Sequence, residues 1–225
     1  MTIQPVITED GSSTLFIPEL NEHYHSIHGA VQESMHIFIH NGYQQICTFP
    51  ARIFEAGFGT GLNAFLTFLY SEKTGKSVHY SAIEKFPLED HFVRLLNYPE
   101  KTDPSKADVF QSIHGAPWGR DVRISDHFIL HKIKGDLREV DLQDEVYDLV
   151  YFDAFGPDVQ PELWTEEIFR MLYRSMKQDA CLVTYSVKGS VKRGLKAAGF
   201  SLEKLAGPKG KREMTRATKK EDHGK

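Results

Sequence analysis

The feature that most restricts the fold of this 225-residue chain is a short apolar run that ends in clustered glycines. Arg52-Ile-Phe-Glu-Ala56 reads as a buried strand, Gly57-Phe-Gly-Thr-Gly61 as a tight turn, and Leu62 to Leu69 as a packed helix. Glycine has no Cβ and tolerates positive φ, so such a turn lets the backbone approach a ligand closely. Strand, glycine turn and helix in that order open a β-α-β unit, the building block of parallel sheets.

The pattern repeats downstream. Val78 to Ile83 reads as a strand ending at Glu84, with a helix predicted from Glu89 to Asn97. Phe128 to Ile133 runs into Gly135-Asp136, and Tyr147 to Phe152 runs into Asp153. Helices are predicted over Glu166 to Met176 and Val191 to Ala197, and strands over Cys181 to Tyr185, Phe200 to Leu205 and Glu213 to Ala217. This alternation predicts an α/β fold with a mostly parallel, doubly wound sheet. One domain is expected over residues 1–225: an N-terminal hairpin or cap over 1–50, a catalytic core over 51–217 and a disordered tail over 218–225. Within the cap, Thr14 to Ile17 alternates weakly. Met35, Ile37 and Ile39 fall at strand spacing, which turns His36 and His40 to one polar face, and Asn41-Gly42 supplies a turn. Residues 99–123, with Pro117-Trp-Gly119, predict a loop-rich excursion with a short helix at the rim of the site, outside the core sheet.

Several function classes are set aside by composition. No apolar run approaches the roughly 20 residues of a membrane span, and the first 20 residues lack the basic start and apolar stretch of a signal peptide, so a cytoplasmic protein is expected. Cys47 and Cys181 form no CxxC pair and read as reduced core thiols. His23, His25 and His28 invite a metal reading, but no carboxylate or cysteine set completes a ligand shell. They are read as a polar flap over substrate or cofactor, with no metal.

In a doubly wound sheet, ligands bind beyond the carboxyl ends of the strands where strand order reverses, which is where Glu55, Glu84, Asp136 and Asp153 are expected. A dinucleotide fingerprint spaces its glycines GxGxxG and seats a diphosphate. Here the third glycine comes one residue early and Glu55 precedes the turn, which suits an anion poorly. A sulfonium cofactor with an amino-acid tail is instead attracted by carboxylates, which points to S-adenosylmethionine. Glu84 is placed to take both ribose hydroxyls and Asp136 the adenine amino group. Asp153 then faces the methyl group and is the candidate to orient an attacking amine and accept its proton. Phe155, Trp164 and Tyr185 are read as walls for a flat base.

Certain blocks are more specific than the glycine turn: His25 to Ser34, Phe54 to Asn63, Glu84-Lys-Phe-Pro-Leu88, Gly135-Asp136, Phe152 to Phe155, Pro161-Glu-Leu-Trp-Thr165 and Gly207 to Met214. Together they resemble the methyltransferase half of the MnmC-type bacterial tRNA enzymes. The resemblance implies a class I Rossmann-like fold and methylation of the primary amine of 5-aminomethyl(-2-thio)uridine at the tRNA wobble position, with Asp153 aligned to the proposed catalytic aspartate. Its motifs add Phe58, Asn63 and Lys85 to Glu55, Gly57, Gly59, Gly61, Glu84, Asp136 and Asp153 as expected cofactor-binding residues.

Net charge is −4, yet residues 188–225 hold 12 Lys and Arg against four acidic residues. Beside the resemblance, Lys188, Lys192, Arg193, Lys196, Lys209, Lys211 and Arg212 are expected to meet phosphates of the anticodon stem-loop while the wobble base enters the pocket. The bifunctional relatives also carry a flavin oxidase domain, for which 225 residues leave no room. A stand-alone methyltransferase is expected, fed with the aminomethyl form directly or by a separate oxidase. Gly156 and Gln160 stand where the family has Ala and Asn. Rival readings are methylation of a small amine or a protein, aminopropyl transfer, and a cofactor-binding RNA module without turnover.

Overall fold

The computed structural model describes residues 2–220. An N-terminal antiparallel sheet comprises β1 (Gln4–Ile7), β2 (Ser13–Ile17) and β3 (Glu22–His23). Helix α1 (Ala30–Ser34) follows and runs on as a π-helical turn over Met35–His40. The strand expected from Glu33 to Ile39 is therefore a helix. Ile37, Phe38 and Ile39 are all buried whereas His40 is exposed, so the strand-like spacing of Met35, Ile37 and Ile39 belongs to a helical segment with one buried side.

The main sheet has eight strands. In chain order they are β4 (Ala51–Ala56), β5 (Val78–Glu84), β6 (Asp121–Arg123), β7 (Phe128–Lys134), β8 (Tyr147–Phe152), β9 (Met176–Thr184), β10 (Ser201–Ala206) and β11 (Glu213–Thr218). In space they run β10-β11-β9-β8-β4-β5-β7-β6. The five strands from β9 to β7 are parallel, whereas β6, β10 and β11 pair antiparallel at the edges.

Both faces of the sheet are covered. On β4 and β8, Ile53, Leu149 and Tyr151 face one core, and Phe54, Val150 and Phe152 face the other. The first core is closed by the π-helical turn, by α2 (Leu62–Thr74) and by α5 (Ala107–Gly115). The second is closed by α6 (Glu166–Ser175) and α7 (Gly189–Ala197). Helix α2 is bounded by two glycines with positive φ, Gly61 (69°) and Gly75 (64°), positions that suit glycine alone among common residues.

Three further expectations need correction. The helix predicted over Glu89 to Asn97 is only the single turn α3 (Asp90–Val93), and the chain then forms the short α4 (Tyr98–Lys101). Residues 99–123 are less loop-like than predicted: α5 buries Phe110 and Ile113, and β6 joins the sheet edge. Cys47 is exposed, not a core thiol, whereas burial pushes the Cys181 thiol up to about 11. At the C-terminus, β11 includes Thr218, and Lys219 exchanges backbone hydrogen bonds with Asp179 and Ala180. Ordered chain thus extends past the expected boundary at 217, and residues 221–225 of the expected tail lie outside the described residues.

Candidate active site

Chain order reverses between β4 and β8: β4 leads to β5 on one side, while β8 lies on its other side and leads to β9. The segments leaving these two central strands diverge there and leave a cleft. A cavity of about 670 Å³ occupies it, lined by Gly57 and Gly59 from the turn after β4, Glu84 at the end of β5 and Lys85 just beyond it, Asp136 after β7, and Asp153 and Phe155 after β8. Gly57 has φ +94°, and a Cβ there would sit 2.8 Å from the Asp153 carbonyl oxygen, so backbone approach and conformation both require glycine.

The acidic residues divide into two kinds. Glu84 accepts hydrogen bonds from the Gly59 N–H (3.0 Å) and the Phe86 N–H (2.9 Å), one on each oxygen, and still lines the cavity with lone pairs to spare. Asp136 is more fully engaged. Its oxygens accept from Lys85 Nζ and from the Arg138 N–H, Nε and Nη2, and the Arg138 contacts first, with Lys85, hold the carboxyl well below the usual range. An adenine amino group could bond Asp136 only by displacing one of these donors.

Glu55 departs from the sequence reading. It is 1% exposed, does not line the cavity, and accepts a hydrogen bond from Asn63 Nδ2 at 2.9 Å. Burial holds its carboxyl well above the usual range. Asn63 is itself buried and donates its other amide proton to Asp153 Oδ2 at 2.8 Å. Phe58 also turns away from the cavity, packing edge-on against His114 and Trp118, and Gly61 caps α2.

Asp153 combines cavity access with an altered proton affinity. Burial, and then the charge of Glu33, push its carboxyl up to about 7 against the opposing Asn63 hydrogen bond and the charge of Lys211. Tyr24 and Phe155 meet edge-on at 5.0 Å beside it, and the Tyr185 hydroxyl donates to the Ala154 carbonyl at 2.8 Å. Trp164 is not a wall of the mouth. It is 7% exposed, packs against Phe152 and Tyr185, and donates its indole N–H to the Phe155 carbonyl, which holds the mouth from behind. Gln160 accepts from the Phe155 N–H at 3.1 Å, and a Cβ on Gly156 would lie 3.6 Å from the Tyr185 hydroxyl, an ordinary contact.

His23, His25 and His28 all line the cavity. His25 Nε2 lies 2.6 Å from the Thr60 hydroxyl, and burial pushes its imidazole down to about 4. Sequence reasoning missed Tyr24 and Glu33. Glu33 pairs with Lys211 at 2.5 Å, and the Lys211 ammonium also lies 4.4 Å from the centre of the Tyr185 ring. Only the histidines around Tyr24 hinted at it, and a contact between residues 178 apart in the chain leaves no local signal.

Lys211, Gly156 and Tyr185 are shared with a second, shallower groove that also holds Lys188 and Arg212. Lys192 and Arg193 lie outside both, on α7. Much of the basic surface is internally paired: Lys188 with Asp158, Lys192 and Lys204 with Glu213, and Lys209 with Glu9. Among the described residues no group of three or more His, Cys, Asp and Glu side chains is arranged to hold a metal, and no helix is long and apolar enough to cross a membrane.

Comparison with known proteins places this geometry. Residues 114–220 match a family described as S-adenosyl-L-methionine-dependent methyltransferase. The chain is 30% identical to the tRNA 5-methylaminomethyl-2-thiouridine biosynthesis bifunctional protein MnmC of Pseudoalteromonas atlantica, over 95% of this chain and 33% of that protein. It is 34% identical to the same-named protein of Methylobacillus flagellatus, over 85% of this chain and 31% of that protein. It thus spans about a third of the length of these curated relatives. Among solved structures it is similar to MnmC2 from Aquifex aeolicus, with TM-score 0.78 and 26% identity over 97% of this chain and 70% of that one. A spermidine synthase from Thermotoga maritima shares the fold, with TM-score 0.56 and 14% identity over 97% of this chain and 72% of that one.

Proposed function

The chain belongs to the S-adenosyl-L-methionine-dependent methyltransferases, on the branch of the methyltransferase portion of MnmC, and from that premise we propose that it methylates the exocyclic amine of 5-aminomethyl(-2-thio)uridine at the wobble position of tRNA. The observation that carries this reading is Asp153: a half-buried carboxyl, its proton affinity raised toward neutrality, in a cavity between bare glycine backbone and the rings of Tyr24, Phe155 and Tyr185.

S-adenosylmethionine is the cofactor of this family, and it supplies a methyl group made electrophilic by a sulfonium. The residues present fit it. Gly57 and Gly59 offer backbone with no side chain in the way, and the Glu84 carboxylate keeps acceptor capacity for a ribose diol. Glu84 and Asp153 also favour a cationic group in the cavity.

An amine attacks only as the free base, and most of it arrives in water as ammonium. Ionised Asp153 takes the proton shed by the substrate nitrogen and so leaves its lone pair free for the methyl group that the bound cofactor would supply. Glu33 and Lys211, paired beside Asp153, keep the local charge balanced while this proton moves. Tyr24, Phe155 and Tyr185 give a flat, extruded base an aromatic surface. Lys188, Lys211 and Arg212 in the adjoining groove would meet flanking phosphates of the RNA backbone.

The test is direct. Purified protein with methyl-labelled S-adenosylmethionine should place label in the wobble nucleoside of tRNA bearing 5-aminomethyluridine. Label appearing only on polyamine or protein, or nowhere, would overturn the reading.

A further inference from the structure

Asn63 ties together three parts of the chain that meet only at this site. Its amide nitrogen donates to Glu55 Oε1 on β4 at 2.9 Å and to Asp153 Oδ2 beyond β8 at 2.8 Å, while Asn63 itself opens α2. The glycine turn is the span of chain between Glu55 and Asn63. Both partners being carboxyl groups, the nitrogen end of the amide is the end that can donate to both. Among the described residues Asn63 Oδ1 and Glu55 Oε2 are buried without a hydrogen-bond partner, so the contacts to Glu55 and Asp153 are the ones that orient the amide.

We propose that Glu55 is a positioning residue for the catalytic carboxylate and not a ligand of the cofactor: its oxygen holds the Asn63 amide so that an N–H is presented to Asp153. Strand geometry supports the assignment. Glu55 lies two residues from Ile53 on β4 and so shares its face, the one covered by α2. It is absent from the cavity lining, whereas Asp153 is part of it. A neutral Glu55 serves as well as an ionised one, because the role needs an acceptor oxygen and no charge.

Without that acceptor the amide is released to turn about its terminal torsion, and the oxygen end can face Asp153. An N–H aimed at Asp153 favours the carboxylate, and a C=O aimed at it favours the protonated acid. Removing Glu55 therefore acts on Asp153 through Asn63. The inference rests on the reading of Asp153 as the proton acceptor, and its test needs no turnover.

The experiment follows the carboxyl carbon resonance of Asp153 by NMR in the full chain, identified by its loss in Asp153→Asn. Asn63→Leu and Glu55→Leu should each raise the titration midpoint by about one pH unit or more, the scale of one hydrogen bond to a buried charge. The double variant should move no further than Asn63→Leu alone, because both act through one contact. Glu55→Gln keeps an acceptor oxygen and should return the midpoint to within about 0.3 units of wild type, with the S-adenosylmethionine dissociation constant changed less than about threefold. Asn63→Ser, which shortens the donor, carries the same expectation as Asn63→Leu and serves if the bulkier variant does not fold.

An unmoved midpoint in Asn63→Leu or Asn63→Ser overturns the proposal. So does Glu55→Gln that weakens cofactor binding tenfold or more, since that marks Glu55 as a ligand. Failure of the wild type to methylate tRNA would remove the proposed substrate and leave this titration result standing.

Discussion

His25 Nε2 lies 2.6 Å from the Thr60 hydroxyl, so a cavity-lining residue of the N-terminal segment grips the glycine turn directly. Thr60 stands between Gly59 and Gly61, both at positive φ, and is 1% exposed. Replacing His25 by Ala should loosen the turn and weaken S-adenosylmethionine binding about tenfold, the worth of one buried hydrogen bond. Calorimetric titration checks it, and an unchanged dissociation constant would free the turn from His25.

The same residue predicts a stability profile. Burial, against the opposing charge of Glu33, pushes the His25 imidazole down to about 4, below its unfolded value of about 6.5. Between these values the unfolded chain binds a proton that the folded chain does not, so stability is full above about pH 6.5 and is lost as pH falls toward 4. The drop in urea midpoint from pH 7 to pH 5 should be smaller in His25→Ala than in wild type. Equal drops would show that His25 is not held neutral.

Asp153 works in the opposite sense. Its folded value of about 7 lies above the unfolded value of about 3.8, so the folded chain holds an extra proton between them and stability falls as pH rises through that window. Asp153→Asn removes this cost. Its gain in Tm over wild type should grow from pH 5 to pH 8 by about 3 °C or more, while methyl transfer is lost. Wild-type turnover should rise with pH through about 7 as the carboxyl ionises. A constant Tm offset would mean that Asp153 is ionised throughout.

What was legible in the sequence follows from what local pattern encodes. Strands β4, β5 and β8 are largely buried on both faces, so their apolar-rich runs with an acidic residue at or beside the carboxyl end place both the switch point and Asp153. The same logic fails for Met35 to His40, where the histidines interleaved with apolar residues of a helix imitate alternation. Glu55 shows a subtler loss. Proximity to the turn suggests a ligand, but parity with Ile53 turns its side chain beneath α2, where Asn63 takes it up. Ion pairs such as Glu33 with Lys211 depend on how the two ends of the chain meet over the cavity, which no local spacing records.

Two glycines of the site should respond differently to a methyl group. Gly57→Ala places a Cβ 2.8 Å from the Asp153 carbonyl oxygen at φ +94°, so strands β4 and β8 must separate at their ends. A loss of about 2 kcal/mol or more in folding free energy is expected, with impaired cofactor binding. Gly156→Ala adds a Cβ 3.6 Å from the Tyr185 hydroxyl, an ordinary contact, and should change stability by less than about 0.5 kcal/mol. Denaturant unfolding of both variants measures the contrast, and a Gly57→Ala loss under about 0.5 kcal/mol would show that the turn tolerates a side chain.

Internal pairing on the basic surface sharpens the expectation for RNA binding. Lys192 and Lys204 both lie within 3.7 Å of Glu213, so a phosphate that engages Lys192 must compete with that carboxylate. Arg193, beside Lys192 on α7, has no ion pair among the described residues. Replacing Lys192 and Arg193 together by Ala should weaken tRNA binding and lower the slope of log affinity against log salt by about 2, one for each phosphate that is no longer neutralised. Glu213→Gln should do the reverse, tightening binding at low salt because two lysines are released to the RNA. Filter binding across a salt series separates the outcomes. If neither variant changes the slope, helix α7 lies outside the RNA footprint, and the tRNA backbone is held instead from the groove of Lys188, Lys211 and Arg212.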